Sequence, residues 1–338
     1  MMHTYQVFVG IDIAARSFTA RWTQDQRSYT PAQTFAQDAA GFAQLVQQLA
    51  ATGVAPAATL LVLEATSSYW VALAVHLHDA GYHVAVVNPM HLHSYARSLP
   101  RRAKTDALDA HLLARFAADR QPARWTPPPA VYHELRQRLV IRETLVTMRQ
   151  QTRNQLHATS QWPVAIASAL AQLQGVIDDL DARITMLDQE ITALLGDSAW
   201  AASATLLLSI PGIGPQTAAW LLVATLNFTT CTSAEALAAY TGLVPMPYES
   251  GSSVHKRARI GPGGHARLRR VVYLAAVSAI RHNPAIRTFA QRLRAAGKPG
   301  KVVVCAAARK LLHQAWAVVM KQQPFDPAYG QPRQTEAV

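Results

Sequence analysis

The hydrophobic pattern of this chain changes once. Over the first 125 residues, short continuous apolar runs alternate with segments whose apolar positions recur every three or four residues. TYQVFVGID predicts a buried strand ending at Asp12, followed by SFTARWT and RSYTPAQTF as further strands. DAAGFAQLVQQLAATG predicts an amphipathic helix closed by Gly53, and ATLLVLE a fully apolar strand ending at Glu64. YWVALAVHLHDAG reads as a helix, YHVAVVN as another buried strand, and TDALDAHLLARFA as a helix starting near Thr105. Continuous apolar strands separated by helices indicate an α/β sheet covered on both faces.

The three prolines of RWTPPPA (Arg124 to Ala130) mark a boundary, and beyond them the pattern is helical. Ile166, Leu170, Leu173, Ile177, Leu180, Ile184, Leu187, Ile191 and Leu194 repeat at alternating spacings of four and three, with Asp178, Asp179, Arg183 and Glu190 outside the stripe. Two partners fit that stripe equally: another subunit in a coiled coil, or a helix around Leu135 to Leu156 of the same chain. Further on, SIPGIGPQTA sets Gly212 and Gly214 in a tight turn between apolar helices. A helix-hairpin-helix fits, its turn amides meeting phosphate without reading sequence, although such turns also occur as plain architecture. A Pro/Gly/Ser-rich loop, a basic helix from His265 and two further helices over Ala285 to Gln322 complete the expected elements, before a loose tail.

Charge narrows the function. The net charge is +12, and from Gly251 to His313 there are 14 Lys or Arg residues and no Asp or Glu. A solvated face alone does not account for 63 residues without an acid. Phosphate does, because each cation placed on a backbone phosphate releases condensed counterions. The apolar stretches read as core helices and none as a membrane span, so nucleic acid is the expected polyanion and no membrane is expected. Two distant cysteines, Cys231 and Cys305, and an N-terminus without a signal layout predict a cytoplasmic protein.

The candidate chemistry is acidic. Asp106 and Asp109 stand three apart on one helix face, and Asp12 and Glu64 end buried strands, where open α/β sheets place ligand sites. Each has a plain alternative: an N-terminal helix acid, a loop aspartate, a strand-end surface acid. Converging without metal, four carboxylates repel and take up protons. With two Mg²⁺ ions they become hard oxygen ligands for phosphodiester chemistry, in the layout of ribonuclease-H-like nucleases. The histidine pairs His76/His78 and His91/His93 lack a completing ligand set and read as surface or packing residues. In YESGSSVHKRAR, Ser250, Ser252 and Ser253 are each chemically able to attack phosphorus, and the residues alone do not choose among them.

GIDIA, LEATSSYW, VVNP with KTDALDA, SIPGIGPQTA, YTGLVP and YESGSSV, in that order, resemble the DEDD transposases. These are insertion-sequence enzymes related to the Piv and MooV DNA invertases, some of them bridge-RNA-guided recombinases. The resemblance runs from about Val7 to Pro324. It implies a RuvC-like α/β domain over 1–127, a helical coiled-coil linker over 128–198, a mostly α-helical transposase domain with a helix-hairpin-helix over 199–325, and a flexible tail over 326–338. It also implies a metal-binding tetrad of Asp12, Glu64, Asp106 and Asp109, with Ser250 as nucleophile. Lys104, Gly212, Gly214, Lys256, Arg257, Arg259, Arg267, Arg269 and Arg270 are the expected nucleic-acid contacts. The implied partners are target and donor DNA, a bridge RNA encoded by the element, and further copies of the chain in a homodimer or homotetramer. The expected location is the bacterial cytoplasm, at the nucleoid. Ser68 stands where the family pattern has glycine, beside Glu64. A RuvC-like nuclease or junction resolvase using water, and a non-catalytic nucleic-acid-binding protein, are the alternatives.

Overall fold

The computed structural model describes residues 5–65, 68–99, 105–250 and 254–328, with backbone alone at 247–250 and 254–258. The chain divides into two compact units, Met1–Pro127 and Pro128–Val338.

The first unit is a five-stranded mixed sheet with helices on both faces. Its elements are β1 (Val7–Ile13), β2 (Ser17–Thr23), β3 (Gln33–Ala36), α1 (Ala39–Ala50), β4 (Thr59–Glu64), α2 (Trp70–Asp79), β5 (His83–Val87), α3 (Pro89–Arg97) and α4 (Asp106–Arg120). The strand order is β3-β2-β1-β4-β5, antiparallel on the β2 side of β1 and parallel from β1 through β5. This order is compatible with a RuvC-like domain. Residue parity sorts the core. Val9, Ile11, Leu61 and Leu63 pack with α1 and α2, whereas Phe8, Leu60 and Val62 pack with α3 and α4.

Two details differ from the sequence reading. RSYTPAQTF is a strand only over Gln33–Ala36. Upstream, the Asp25 carboxylate accepts from the backbone amides of Arg27 and Ser28 and from the Ser28 hydroxyl, folding a turn that competes with a ladder, and Pro31 has no amide to donate. The His91/His93 segment forms α3, started by Asn88, whose side chain accepts from the Met90 amide, and by Pro89 at the first helical position.

The second unit contains α5 (Ala130–Ser160), α6 (Ala167–Asp197), α7 (Ala201–Leu208), α8 (Pro215–Thr225), α9 (Ala234–Thr241), β6 (Pro245–Ser250), β7 (Val254–Ile260), α10 (Ala266–His282), α11 (Pro284–Ala295) and α12 (Gly300–Lys321). The helices α5 and α6 pair antiparallel within the chain. Rising numbers on α5 meet falling ones on α6: Arg138 with Glu190 (2.7 Å), Arg142 with Asp188, and Arg149 and Arg153 with Asp181. Ile177, Leu180, Ile184 and Ile191 are buried, while Ile166 precedes the helix and is 62% exposed. Near the hairpin base, Val131, Leu135, Leu139, Ile191 and Leu195 join the same core as α7 through α12, so arm and C-terminal helices form one unit.

Within the stretch read as a Pro/Gly/Ser-rich loop, Pro245–Ser250 and Val254–Ile260 are strands, β6 pairing antiparallel with β7. Their alternating residues, PMPYES and VHKRARI, carry too few apolar positions to register as strands. One apolar run also escaped the sequence reading. Among the described residues, α12 is long and apolar enough to cross a membrane by length and composition. Its Val303, Ala307, Leu311, Leu312 and Ala315 are buried in the protein core, which accounts for the run.

Candidate functional site

The acids are positioned by a glycine. In the parallel pairing of β1 and β4, Gly10 faces Val62 and Ile11 faces Leu63; one residue further along each strand stand Asp12 and Glu64. By parity both acids belong to the face of Phe8 and Val62, the one covered by α4. A Cβ on Gly10 would lie 2.1 Å from the amide nitrogen of Ala114 and 2.2 Å from the carbonyl oxygen of Ala110. Only a residue without Cβ therefore allows α4 to lie this close to β1. The first turn of that helix carries Asp106 and Asp109. Thr105 caps it, its hydroxyl accepting from the Leu108 amide at 3.3 Å, and acids there also suit the helix dipole.

Electrostatics link the four acids. The Asp12 carboxyl is pushed up from 3.8 to about 6, first by burial and then by the charges of Asp109, Asp106 and Glu64, against a backbone hydrogen bond from Ile13 that lowers it. A divalent cation relieves such repulsion, and the donors are the hard oxygens that Mg²⁺ prefers. Among the described residues, no three acids, histidines or cysteines stand close enough together to form a closed metal-holding group. The donor chemistry and the electrostatics fit an ion, while the carboxylates are not drawn up around one.

The expected nucleic-acid contacts separate into distinct situations. Lys104, Ser252 and Ser253 lie outside the described residues. Ser250 ends β6, opposite Val254, and Lys256 and Arg257 belong to β7. Arg259, also on β7, is exposed. On α10 the arginines have internal partners. Arg267 and Arg270 both pair with Glu143 of α5, Arg267 at 2.6 Å, and Arg267 also lies 5.1 Å from the Trp220 ring. Arg269 donates to the carbonyls of Gly263 (2.6 Å) and Pro262 (3.4 Å). Gly212, at φ +104°, sits against α10: a Cβ there would lie 2.5 Å from the Ala279 Cβ. Its backbone conformation and close packing both demand glycine. Gly214 has open space where a Cβ would go and precedes Pro215 at the start of α8.

Sequence reasoning missed Gly10 and Glu143. The signal for Gly10 was present, a lone glycine inside an apolar strand, which marks close backbone approach. Glu143 gave none, being one polar residue on a long amphipathic helix.

Comparison with known proteins agrees along the chain. Residues 9–161 match a family described as transposase, of the DEDD IS110 type, and residues 204–291 match the transposase IS116/IS110/IS902 family. The chain is 33% identical over 329 residues to the pilin gene-inverting proteins of Moraxella bovis and Moraxella lacunata, covering 95% of this chain and 98% of each relative. It is also 36% identical over 113 residues to a protein of insertion element IS110 from Streptomyces coelicolor, covering 33% of this chain and 28% of that protein. With relatives matched over almost their full length and both family segments in order, the chain belongs to the IS110 family of transposases, enzymes that recombine DNA.

Proposed function

We propose that this transposase cuts and rejoins DNA with the Ser250 hydroxyl as nucleophile, and that Asp12, Glu64, Asp106 and Asp109 hold the divalent ions the reaction needs. The observation that carries the metal reading is the raised Asp12 carboxyl among three other acids. Two Mg²⁺ ions bound there would stabilise the charge developing on the phosphodiester. In the attack, the serine oxygen forms a bond to phosphorus as the bond to the 3′ oxygen breaks. The serine proton is lost, the leaving 3′ oxygen gains one, and the 5′ phosphate stays on the protein. Attack by another strand's 3′ hydroxyl reverses the step and releases the serine, so joining needs no ATP.

The acids belong to the first unit and Ser250 to the second. A homodimer or homotetramer in which one copy's acids serve another copy's serine is part of this reading, with the α5–α6 hairpin as the coiled-coil arm. Support for an assembly role comes from Trp162, Val164 and Ile166, 69%, 79% and 62% exposed between the two helices. The α7–α8 turn is read as a helix-hairpin-helix whose open side is at Gly214. A bridge RNA paired with target and donor DNA would choose the sites, the acid-free stretch from Gly251 to His313 supplying cations for its backbone. The protein would act in the bacterial cytoplasm, at the nucleoid.

Incubating the protein with RNA, DNA and Mg²⁺ and resolving the products under denaturing conditions tests the chemistry. A covalent protein–DNA adduct is expected; free cut ends without adduct would show water as nucleophile and remove the serine.

A further inference from the structure

Arg267, Arg269 and Arg270 each hold a partner within the chain, and three further arginines of the acid-free stretch gather elsewhere in the second unit. A pocket of about 370 Å³ opens among α10, α11 and α12. Val277, Ile280 and Val304 form its apolar wall, and Arg281, Arg287 and Arg294 its charged one. All three arginines are exposed, and among the described residues none forms an ion pair with an acid. The Arg287 guanidinium donates to the Arg281 carbonyl, which fixes it at the mouth. Three guanidinium groups around one concavity repel each other, and no acid between Gly251 and His313 offsets them. Their charge is therefore open to an anion from outside the chain.

We propose that this pocket is a backbone-phosphate site for nucleic acid, in which Arg281 and Arg294 grip a phosphodiester and Arg287 braces the mouth. Guanidinium forks match phosphate oxygens two at a time, and the apolar wall lowers the local dielectric around them. The shared chemistry is the phosphodiester, whether of DNA or RNA. The inference rests on the family's action on nucleic acid and uses neither Ser250 nor the acids, so it stands or falls apart from the proposed chemistry.

The test is binding of a short duplex DNA and of an unrelated RNA hairpin to the full-length protein across a salt series. Arg281→Gln with Arg294→Gln should weaken binding by about tenfold or more and flatten the salt slope by roughly 0.7–0.9 for each phosphate no longer neutralised. The lysine variant, Arg281→Lys with Arg294→Lys, should keep the wild-type slope with intermediate affinity and guard against a folding defect. Weakening with one nucleic acid alone would support the site and identify its ligand. Unchanged affinity and slope with both would overturn it. So would an equal weakening from Arg292→Gln with Lys298→Gln, because that would reflect net charge and not the pocket. Adduct formation through Ser250 is read separately, so either result leaves the other intact.

Discussion

Gly10 and Ala114 lie too close for any side chain between them: a Cβ on the glycine would be 2.1 Å from the Ala114 nitrogen. The distance couples strand β1, which carries Asp12, to the helix that carries Asp106 and Asp109. Gly10→Ala forces α4 outward without touching an acid. Overpacking of this kind costs about 1–3 kcal/mol. The expected outcome is a folded protein with a lower melting temperature and little DNA cleavage. Wild-type cleavage by this variant would mean that the α4 position does not matter to the chemistry.

Asp12 gives a pH prediction whose sign is fixed. Its folded carboxyl titrates near 6, against an ordinary 3.8. Between those values the folded protein holds a proton that the unfolded chain has released, so stability falls as pH rises through that window and stays reduced above it. Asp12→Asn removes the repulsion, and should raise the melting temperature of metal-free protein at neutral pH and flatten its pH dependence. Mg²⁺ should stabilise wild type more than the variant above about pH 6. Identical melting curves with and without Mg²⁺, for both proteins, would count against ion binding at these acids.

How much of this was readable in the sequence depends on where each element's stability comes from. Strands β1, β4 and β5 are continuous apolar runs buried on both faces, and such runs identify themselves. The helix from Asp106 was legible from its cap and spacing. The β6–β7 hairpin was not, because its residues are mostly polar and its stability lies in backbone pairing that leaves little periodicity. Nor did the heptads of α6 identify their partner, since the ion pairs to Arg138, Arg142, Arg149 and Arg153 depend on charges in another helix. The same limit applies to the α10 arginines: composition shows that a region is basic, but only geometry shows that Arg267 and Arg270 also pair with Glu143.

That pairing makes a prediction of its own. Glu143 is the acid that both Arg267 and Arg270 meet, and its side chain is only 23% exposed. Glu143→Ala leaves two like charges facing each other beside α5, but both arginines reach solvent, so it should lower stability by about 0.5–1 kcal/mol. Replacing Arg267, Arg269 and Arg270 together should likewise lower the melting temperature. Duplex affinity of the protein that remains folded should change less than in the Arg281/Arg294 variant. Thermal melts paired with binding isotherms measure both. A large drop in affinity at unchanged stability would return α10's first turns to the nucleic-acid surface.

The sharpest prediction concerns the serine. Ser250→Ala should abolish adduct formation and recombination while leaving nucleic-acid binding near wild type, because only a hydroxyl can serve as this nucleophile. Alanine at the end of β6 keeps the backbone pairing with Val254, so loss of activity would not reflect loss of the hairpin. Ser252→Ala and Ser253→Ala should each retain activity, since neither supplies the attacking oxygen. Mixing Ser250→Ala protein with Asp12→Asn protein then reads the assembly. If acids and serine act across subunits, the mixture contains composite sites with both intact, and recombination should return in part. Peptide mapping of the trapped adduct decides the residue: a DNA link on Ser252 or Ser253 would move the nucleophile along the chain, and a mixture that never complements would place acids and serine in the same copy.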